Sequence, residues 1–344
     1  MKILMLTPSF HPSVGGVQTH VRRVCEELAR AGHGTVVICR REDPSWPAHE
    51  WLGETEVVRV PARRGFFAAW LQVWRALGET DLVHCHEGYS FARYYLPFRL
   101  IARRKPVFIT FHGYEGWPLR RGALRLRRLA RRLCRGSICV GEFIRQYYGT
   151  ACDVVTYGGV DTLAASEPQE DGAVFVGRLE RDTGVLGYLE ALRILRDEHG
   201  FNIPLHLCGE GSLRGEVERT VRVLGLDAEL HGAVTDPVAY LRRGRFAFVN
   251  GYLSMLTAMA LGRRVFALYE TPIKRDYLGC FPGAKYAVVT EYPGAVAAEL
   301  AACIANLDLG AEQILAGREF AAQNTWDKVA AAYLDLWQRK GVGA

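Results

Sequence analysis

Short apolar runs alternate with longer amphipathic stretches along the whole chain. The short runs have the length of buried strands, and the longer stretches repeat their apolar positions at helical spacing. The predicted strands are Lys2–Leu6, Gly34–Cys39, Val57–Val60, Leu82–His84, Val107–Phe111, Ser137–Val140, Ala173–Val176, Leu205–Cys208, Ala228–His231, Phe246–Val249, Arg264–Leu268 and Ala287–Val289. The predicted helices include Val17–Ala31, Val185–Arg196, Arg214–Leu224, Pro237–Leu241 and Trp326–Arg339. This alternation is typical of α/β proteins with parallel sheets.

Two domains are expected from the length and from a break in the pattern. At 344 residues the chain exceeds the size that one hydrophobic core usually serves. A polar stretch at residues 162–172 contains Pro and has no apolar period, so it marks the boundary. The predicted domains are 1–162 and 163–325, followed by a helical segment, 326–344, that packs back against the domains.

The composition is that of an ordinary globular protein, with 49% apolar and 23% charged residues. No apolar run reaches the roughly 18 residues of a membrane helix. The first apolar run ends at Pro8 and is interpreted as a strand rather than a signal peptide. The nine cysteines are scattered without a Cys-x-x-Cys pair, which favours reduced thiols in a cytoplasmic protein over disulfides or a metal site.

The net charge of +6 is unevenly distributed. Residues 1–165 contain 24 Lys and Arg against 14 Asp and Glu, whereas the remainder contains 19 against 23. Eight of the arginines lie in Leu119–Arg135, where Leu and Ala recur at helical spacing. Two interpretations stay open: a basic helix in peripheral contact with an anionic membrane or a phosphorylated acceptor, or an Arg-rich helix packed on its own domain. No nucleic-acid-binding motif accompanies it, so nucleic acid is not expected as a partner.

Two Gly-rich turns each join a predicted strand to a predicted helix. Gly15-Gly16 does so in the first half, and the segment from Gly177 to Gly184 does so in the second. A helix N-terminus behind such a turn binds anions, because free N–H groups and the helix dipole face the ligand. Arg178 adds a permanent cation at the second turn. One turn in each half indicates two similar domains that share a phosphate-bearing ligand.

Three histidines end neighbouring strands of the first half. His84 and His86 end one strand, and His112, followed by Gly113, ends the next. Ligands of open α/β sheets lie beyond the carboxyl ends of the strands, so His112 is placed to contact a sugar hydroxyl. The alternative is a buried structural histidine. No Asp, Glu or Cys ligand pattern accompanies the three, and no metal is predicted.

Taken in order, these segments resemble the retaining family 4 glycosyltransferases of GT-B fold over nearly the whole chain. The segments that carry the resemblance are PSVGGVQTHV, DLVHCHE, FITFHGYE, TYGGVDT, VGRLERDTG, LHLCGEG, LHGAV, NGYLSMLTAMALGRRVFA and QNTWDKVAAAYLDLW. The resemblance implies two Rossmann-like domains whose parallel sheets face each other across a cleft. It places a nucleotide-sugar donor in the C-terminal domain and an acceptor in the N-terminal domain.

The resemblance also implies an activity. The expected reaction moves a hexose from a UDP- or GDP-sugar, with retained anomeric configuration, to a glycan, glycolipid or small-molecule acceptor. A front-face route with an oxocarbenium-like transition state needs charge stabilisation of the departing diphosphate more than it needs a nucleophile. Neither a metal nor another cofactor is expected, since a cation and backbone N–H groups stabilise the diphosphate. The expected location is the cytoplasm, with peripheral membrane contact through the basic helix.

The same resemblance implies the site residues. His112 and Arg178 are the expected catalytic residues, His112 at the donor sugar and Arg178 at the diphosphate, where a guanidinium forms paired charge-assisted bonds. The expected donor-binding residues are Gly15, Gly16, Gly177, Thr183, Glu210, Gly211, His231, Asn250, Gly251, Tyr252, Leu253, Ser254, Thr257, Glu270 and Lys274. The expected acceptor-binding residues are Gln18, His20, His86 and Glu115.

The chain departs from the family's pattern in its donor-binding segments, including a degenerate Glu-x7-Glu motif. Thr183 stands where the family has a diphosphate-binding lysine, and Asn250 and Thr257 stand where it has two glutamates. The candidates for a substitute cation are Lys274, Arg275, Arg181 and Arg263, of which Lys274-Arg275 is best placed, and Glu270 in the same loop is expected to replace the acidic contact. These departures leave a second hypothesis open, a catalytically impaired relative that binds a sugar nucleotide or serves as a partner subunit.

Overall fold

The computed structural model forms two compact units. The first unit consists of Met1–Gly158 and Trp326–Ala344, and the second of Gly159–Thr325. The division falls four residues before the boundary expected from the polar stretch, and the C-terminal segment belongs to the first unit. The residues that the structure describes are 1–61, 66–99, 101–102, 104–113 and 120–343.

The first unit is built on an eight-stranded sheet. Its strands are β1 (Lys2–Leu6), β2 (Gly34–Arg41), β3 (His49–Leu52), β4 (Thr55–Pro61), β5 (Leu82–His86), β6 (Val107–Phe111), β7 (Gly136–Val140) and β8 (Val154–Thr156). They lie in the order β3-β4-β2-β1-β5-β6-β7-β8, and the β3–β4 pair is antiparallel whereas the others are parallel. The central strands β5 and β6 are buried along their whole length, which explains their continuous apolar runs.

Among the described residues of the first unit, five α-helices precede β8. They are α1 (Gly16–Arg30), α2 (Phe66–Glu79), α3 (Glu87–Ser90), α4 (Arg121–Leu133) and α5 (Phe143–Tyr148). In α1 the buried apolar side chains are Val21, Val24, Cys25 and Leu28, spaced three and four residues apart along one face. This face packs on the sheet, so the helix that follows Gly15-Gly16 is fixed by its core contacts.

The second unit is built on a six-stranded sheet in which all pairs are parallel. Its strands are β9 (Glu170–Val176), β10 (Leu205–Cys208), β11 (Ala228–Gly232), β12 (Gly244–Val249), β13 (Arg264–Leu268) and β14 (Ala287–Thr290), in the order β11-β10-β9-β12-β13-β14. Its helices are α6 (Val185–His199), α7 (Arg214–Leu224), α8 (Pro237–Leu241), α9 (Tyr252–Ala260), α10 (Pro272–Gly279), α11 (Pro293–Ala305) and α12 (Ala311–Ala322). Because β9 is central, the loop after it lies beside the loops after β10 and β12.

The last helix, α13 (Trp326–Arg339), packs on the first unit. Its predicted apolar face is buried there: Val329 is 4% exposed, and Tyr333, Leu336 and Trp337 are fully buried. Long aromatic side chains of this kind each remove a large apolar area from water, so α13 closes the core of the first unit.

The predicted α/β architecture with two parallel sheets is confirmed, and all twelve predicted strands are present. The sequence analysis missed β3 and β8, because β3 is a half-exposed edge strand and β8 has only three residues. The basic helix is shorter than Leu119–Arg135, and Leu119 lies outside the described residues. No helix in the described part of the chain is long and apolar enough to cross a membrane.

Candidate functional site

Four histidines of the first unit lie together where β5 and β6 end: His20, His84, His86 and His112. His86 Nδ1 and His112 Nε2 are hydrogen-bonded at 3.0 Å, and the centre of the His20 ring is 4.8 Å from that of His112. Burial lowers the pKa of His112 to about 3, and it lowers those of His20 and His86 well below the ordinary value. His112 is therefore neutral, and it can offer a sugar a hydrogen bond but not a positive charge.

Two of these histidines belong to a buried chain of hydrogen bonds. Trp337 Nε1 donates to His84 Nδ1 at 3.1 Å, which leaves the Nε2–H of His84 to donate to the Thr110 hydroxyl at 2.8 Å. The Thr110 and Tyr333 hydroxyls are hydrogen-bonded at 2.8 Å, and the Tyr333 hydroxyl is hydrogen-bonded to His20 Nε2 at 2.9 Å. The chain joins α13 to α1 and the sheet. His20, expected to bind an acceptor, is 1% exposed and is a packing element of this chain.

The loop after β6 is held by a buried ion pair that the sequence analysis missed. Glu87 accepts hydrogen bonds from the backbone N–H groups of His112 at 2.6 Å and Gly113 at 3.2 Å. Its other oxygen accepts from Arg127 at 3.1 Å, and Arg127 also donates to the Gly113 carbonyl at 3.0 Å. Glu87 has φ of +71°, a strained conformation for a residue with a side chain. The pair positions His112 through its backbone.

Arg127 also corrects the expected character of the basic helix. Its side chain is 1% exposed and lies 4.2 Å from the Tyr148 ring centre, so it does not belong to a solvated face. The signal was present in the sequence, because Arg127 lies four residues after Ala123 and three before Ala130, on the apolar face of α4.

The remaining first-unit candidates lie near the start of α1. Gln18 donates its amide to the Ser9 and Ser13 hydroxyls at 3.1 and 3.3 Å, and Gly15 precedes the first residue of the helix. A Cβ atom at Gly16 would meet nothing within 4 Å, so its backbone is open to close approach. His86 is fully buried, and its Nε2 has no hydrogen-bond partner among the described residues. Glu115 lies outside the described residues.

In the second unit, the loop after β9 carries Arg178. The Arg178 guanidinium is 65% exposed and pairs with Asp182 at 3.0 Å. Thr183 is buried, and its hydroxyl is directed at the Arg178 carbonyl at 2.8 Å and the Glu180 carbonyl at 2.7 Å. Gly184, with φ of +69°, ends the turn and lets α6 begin. Thr183 therefore shapes the loop, while Arg178 is the cation that it presents.

The loop after β10 packs tightly against that of Arg178. Gly177 N–H donates to the Cys208 carbonyl at 3.1 Å, and Leu179 N–H donates to the Glu210 carbonyl at 2.9 Å. A Cβ atom at Gly209 would overlap the Gly177 carbonyl oxygen, and one at Gly211 would overlap Leu179. The glycines of the segment CGEG are thus required by this contact. The Glu210 side chain forms an ion pair with Arg214.

Asn250 and Lys274 tie three loops of the second unit together. Asn250 is buried after β12, and its Nδ2 donates to the carbonyls of Thr183, at 3.2 Å, and Leu268. Lys274 Nζ donates to the Asn250 carbonyl at 2.8 Å and is 7% exposed. Burial lowers the pKa of Lys274 to about 8; Asp182 raises it and Arg178 lowers it. Asp182, which pairs with Arg178, thus also acts on Lys274.

The start of α9 completes this set. Tyr252 stacks on Tyr277, with ring centres 4.0 Å apart, and donates its hydroxyl to the Tyr277 carbonyl at 2.7 Å. The Ser254 hydroxyl donates to the Gly251 carbonyl at 3.0 Å, and that of Thr257 donates to the Leu253 carbonyl at 2.8 Å. Thr257 and Asn250 thus donate hydrogen bonds to carbonyls of the protein backbone.

Two further donor candidates have separate surroundings. Glu270 follows β13, and burial raises the pKa of its carboxyl. His231 lies on β11, and its Nε2 is 2.9 Å from Nδ1 of His206 on β10. Its imidazole thus belongs to a cluster of side chains across neighbouring strands.

Comparisons with known proteins agree with this architecture. Residues 14–162 match the family model described as Glycosyltransferase Family 4. No curated protein matches the sequence. HepE from Anabaena, solved with UDP and glucose, is similar at a TM-score of 0.77 and 16% identity, covering 97% of this chain and 99% of that chain.

Two other solved structures give the same result. Sucrose-phosphate synthase from Thermosynechococcus elongatus is similar at a TM-score of 0.76 and 17% identity, covering 98% of each chain. TarM from S. aureus, solved with fondaparinux, alpha-GlcNAc-glycerol and UDP, has a TM-score of 0.76 and 11% identity, covering 98% of this chain and 99% of that chain. At such identities the likeness shows the fold. The chain therefore has the fold of the GT-B glycosyltransferases, and its residues 14–162 are similar to Glycosyltransferase Family 4.

Proposed function

We propose that the chain moves a hexose from a UDP- or GDP-sugar to a glycan, glycolipid or small-molecule acceptor, with retention of configuration and with no metal in the transfer step. The family match supports glycosyl transfer. The HepE structure contains UDP and glucose, and the TarM structure contains UDP, which supports a nucleotide-sugar donor. The second unit is the proposed donor site, and the proposed catalytic residues are His112 and Arg178.

The single observation that carries this proposal is that two cations, the buried Lys274 and the exposed Arg178, lie around one carboxylate, that of Asp182. Two cations beside the single carboxylate of Asp182 leave an excess of positive charge, so a diphosphate binds there with a favourable Coulomb energy. Lys274 thereby takes the role of the diphosphate-binding lysine whose position Thr183 occupies. The first turn of α9, which follows Gly251, offers the backbone N–H groups of Leu253 and Ser254 to the diphosphate, whereas that of Tyr252 donates to the Tyr277 hydroxyl at 3.1 Å.

On the first unit we propose an anionic acceptor or an acceptor held at an anionic membrane. The exposed arginines of α4 and its flanks support this: Arg120, Arg121, Arg125, Arg128, Arg132 and Arg135. Their positive charge attracts anionic headgroups or phosphates by about 1 kcal/mol for each residue near the surface. Co-sedimentation with vesicles of phosphatidylserine is expected, and equal binding to neutral vesicles would contradict it.

A second candidate is a catalytically impaired relative that binds a sugar nucleotide or acts as a partner subunit. The observation in its favour is that the polar groups of Thr183, Asn250 and Thr257 are engaged with protein carbonyls. Neutral groups so engaged do not replace the charged contacts of the family. Losing one charge-assisted hydrogen bond costs about 1.5–3 kcal/mol, which lowers the affinity for the donor roughly 10- to 100-fold.

A thermal-shift screen with UDP-, GDP- and ADP-sugars tests both candidates. A donor present at about 100 times its Kd adds ~2.7 kcal/mol to the free energy of unfolding, so one class of donor should raise the melting temperature. Arg178→Ala should abolish the shift. Arg193→Ala should keep it, because Arg193 is a partly exposed arginine of α6 that pairs with Glu190 and Asp197. A shift without turnover favours the impaired relative, and no shift with any donor contradicts both donor-binding proposals.

A further inference from the structure

A cluster of metal-ligating side chains spans three adjacent strands of the second unit. His206 lies on β10, and Glu229 and His231 lie two residues apart on β11, on the same face of the sheet. His206 is paired in register with Glu229, which brings the three together. Glu170, the first residue of β9, contacts His206 from the other side. The diphosphate site proposed above uses none of these side chains except His231, whose expected role was to contact the base.

The three ligand atoms already have the spacing of a metal site. His206 Nδ1 and His231 Nε2 are 2.9 Å apart, and Glu229 Oε2 is 3.6 Å from each of them. A point equidistant from the three lies about 2.0 Å from each, which is the distance of a zinc ion from nitrogen and carboxylate ligands. A cation therefore fits with only small side-chain shifts.

The surroundings of His206 have the form of an outer ligand shell. Glu170 Oε1 accepts from His206 Nε2 at 2.8 Å, which leaves the lone pair of Nδ1 directed at His231 and Glu229. Metal-bound histidines characteristically donate their second N–H to a carboxylate in this way. The His231 ring lies 4.5 Å from the Tyr240 ring, which restricts its rotation.

We propose that His206, His231 and Glu229 bind one divalent transition metal of the zinc class, with Glu170 as the residue that orients His206. Two imidazoles and one carboxylate favour zinc, cobalt or nickel over magnesium and calcium, which prefer oxygen ligands. His231 presents its Nε2 lone pair by adopting the Nδ1–H tautomer, so no net proton is released. Glu229, with a side chain 66% exposed, leaves a path for the ion from solvent. Three protein ligands leave the fourth position for water or a small anion.

The proposal departs from the expectation that the chain needs no metal, and it is independent of the proposed glycosyl transfer. The metal joins the edge strand β11 to β10 and engages the imidazole of His231. No step of transfer is assigned to it.

Cobalt and zinc titrations of the full chain, freed of any affinity tag and dialysed against a chelator, test the proposal. Cobalt(II) should bind with one equivalent and give the intense visible absorption of a tetrahedral site, and zinc should displace it. Zinc should also raise the unfolding temperature. His231→Gln and Glu229→Gln should abolish the absorption, and Glu170→Gln should weaken zinc binding 10- to 100-fold.

His49→Gln is the matched control, because His49 also pairs with a glutamate, Glu56, at 3.0 Å, on the exposed β3–β4 hairpin. This variant should bind like the unchanged chain. Glu229 is largely exposed, so Glu229→Gln is expected to fold, which circular dichroism verifies. Cobalt binding that is absent from the unchanged chain, or equal in Glu229→Gln and His231→Gln, overturns the proposal.

Discussion

Replacing Lys274 by Met tests two effects of this buried cation, its cost to the free energy of unfolding and its contribution to diphosphate affinity. The Lys274 ammonium is buried against Tyr277, and burial lowers its pKa from 10.5 to about 8. Between these values the unfolded chain holds more protons than the folded chain, so the free energy of unfolding rises with pH. At about 1.36 kcal/mol per pKa unit, the rise amounts to roughly 3 kcal/mol.

The assay is urea unfolding of both proteins at several pH values from 7 to 10. Met carries no proton, so the unchanged chain should gain stability relative to Lys274→Met as pH rises through 8 and towards 10. The stability advantage of the unchanged chain over Lys274→Met should be smallest at pH 7, because Lys274 is then charged and the cost of burying that charge is at its largest. The variant also loses the hydrogen bond to the Asn250 carbonyl, worth about 1 kcal/mol at every pH.

The same variant should lose affinity for UDP or GDP by roughly 10- to 100-fold at pH 7, because a charge-assisted phosphate contact is gone. Lys285→Met is the matched control, since Lys285 is exposed and lies 4.9 Å from a tyrosine ring centre in the same unit. A difference in the free energy of unfolding between the unchanged chain and Lys274→Met that does not change with pH would refute the claim that the Lys274 charge is buried. Unchanged nucleotide affinity would refute its role at the diphosphate.

Three further substitutions test the frame around the site. Glu87→Gln should destabilise the first unit by about 3 kcal/mol, because Arg127 then lacks its buried carboxylate; chemical unfolding measures this, and a change below 1 kcal/mol would count against the ion pair. Gly209→Ala should lower the melting temperature and weaken the affinity for the donor, since its Cβ overlaps the Gly177 carbonyl. A melting temperature equal to that of the unchanged chain would show that the two loops can move apart at no cost. Tyr333→Phe should cost about 1–3 kcal/mol by breaking the chain of buried hydrogen bonds, and unfolding at neutral pH identical to that of the unchanged chain would contradict this.

Much of the fold could be predicted because its strands are buried on both faces. The run Ala173–Val176 is a continuous apolar segment between two glycines, and Val107–Phe111 is apolar except for Thr110, a pattern typical of strands buried on both faces. The strand β3 could not be found this way, since its alternate side chains are exposed and its pairing depends on a neighbouring strand.

The position of Arg178 in the loop after β9 was predictable, because a short apolar run that ends at a glycine marks the end of a strand. Its role at a diphosphate stays a prediction. The site was not predictable where a side chain's partner lies far away in sequence. Arg127 in an arginine-rich helix gave no sign of its bond to Glu87, forty residues earlier. His206 and His231 likewise meet only because β10 and β11 are adjacent.

The most direct test of the central claim is the release of nucleoside diphosphate from a panel of nucleotide sugars by the full chain, with and without sugar acceptors. The account predicts slow hydrolysis or transfer with one UDP- or GDP-sugar, lost in Arg178→Ala and retained in Arg193→Ala. Folded protein that neither binds nor consumes any nucleotide sugar would contradict the account, as would full activity in Arg178→Ala.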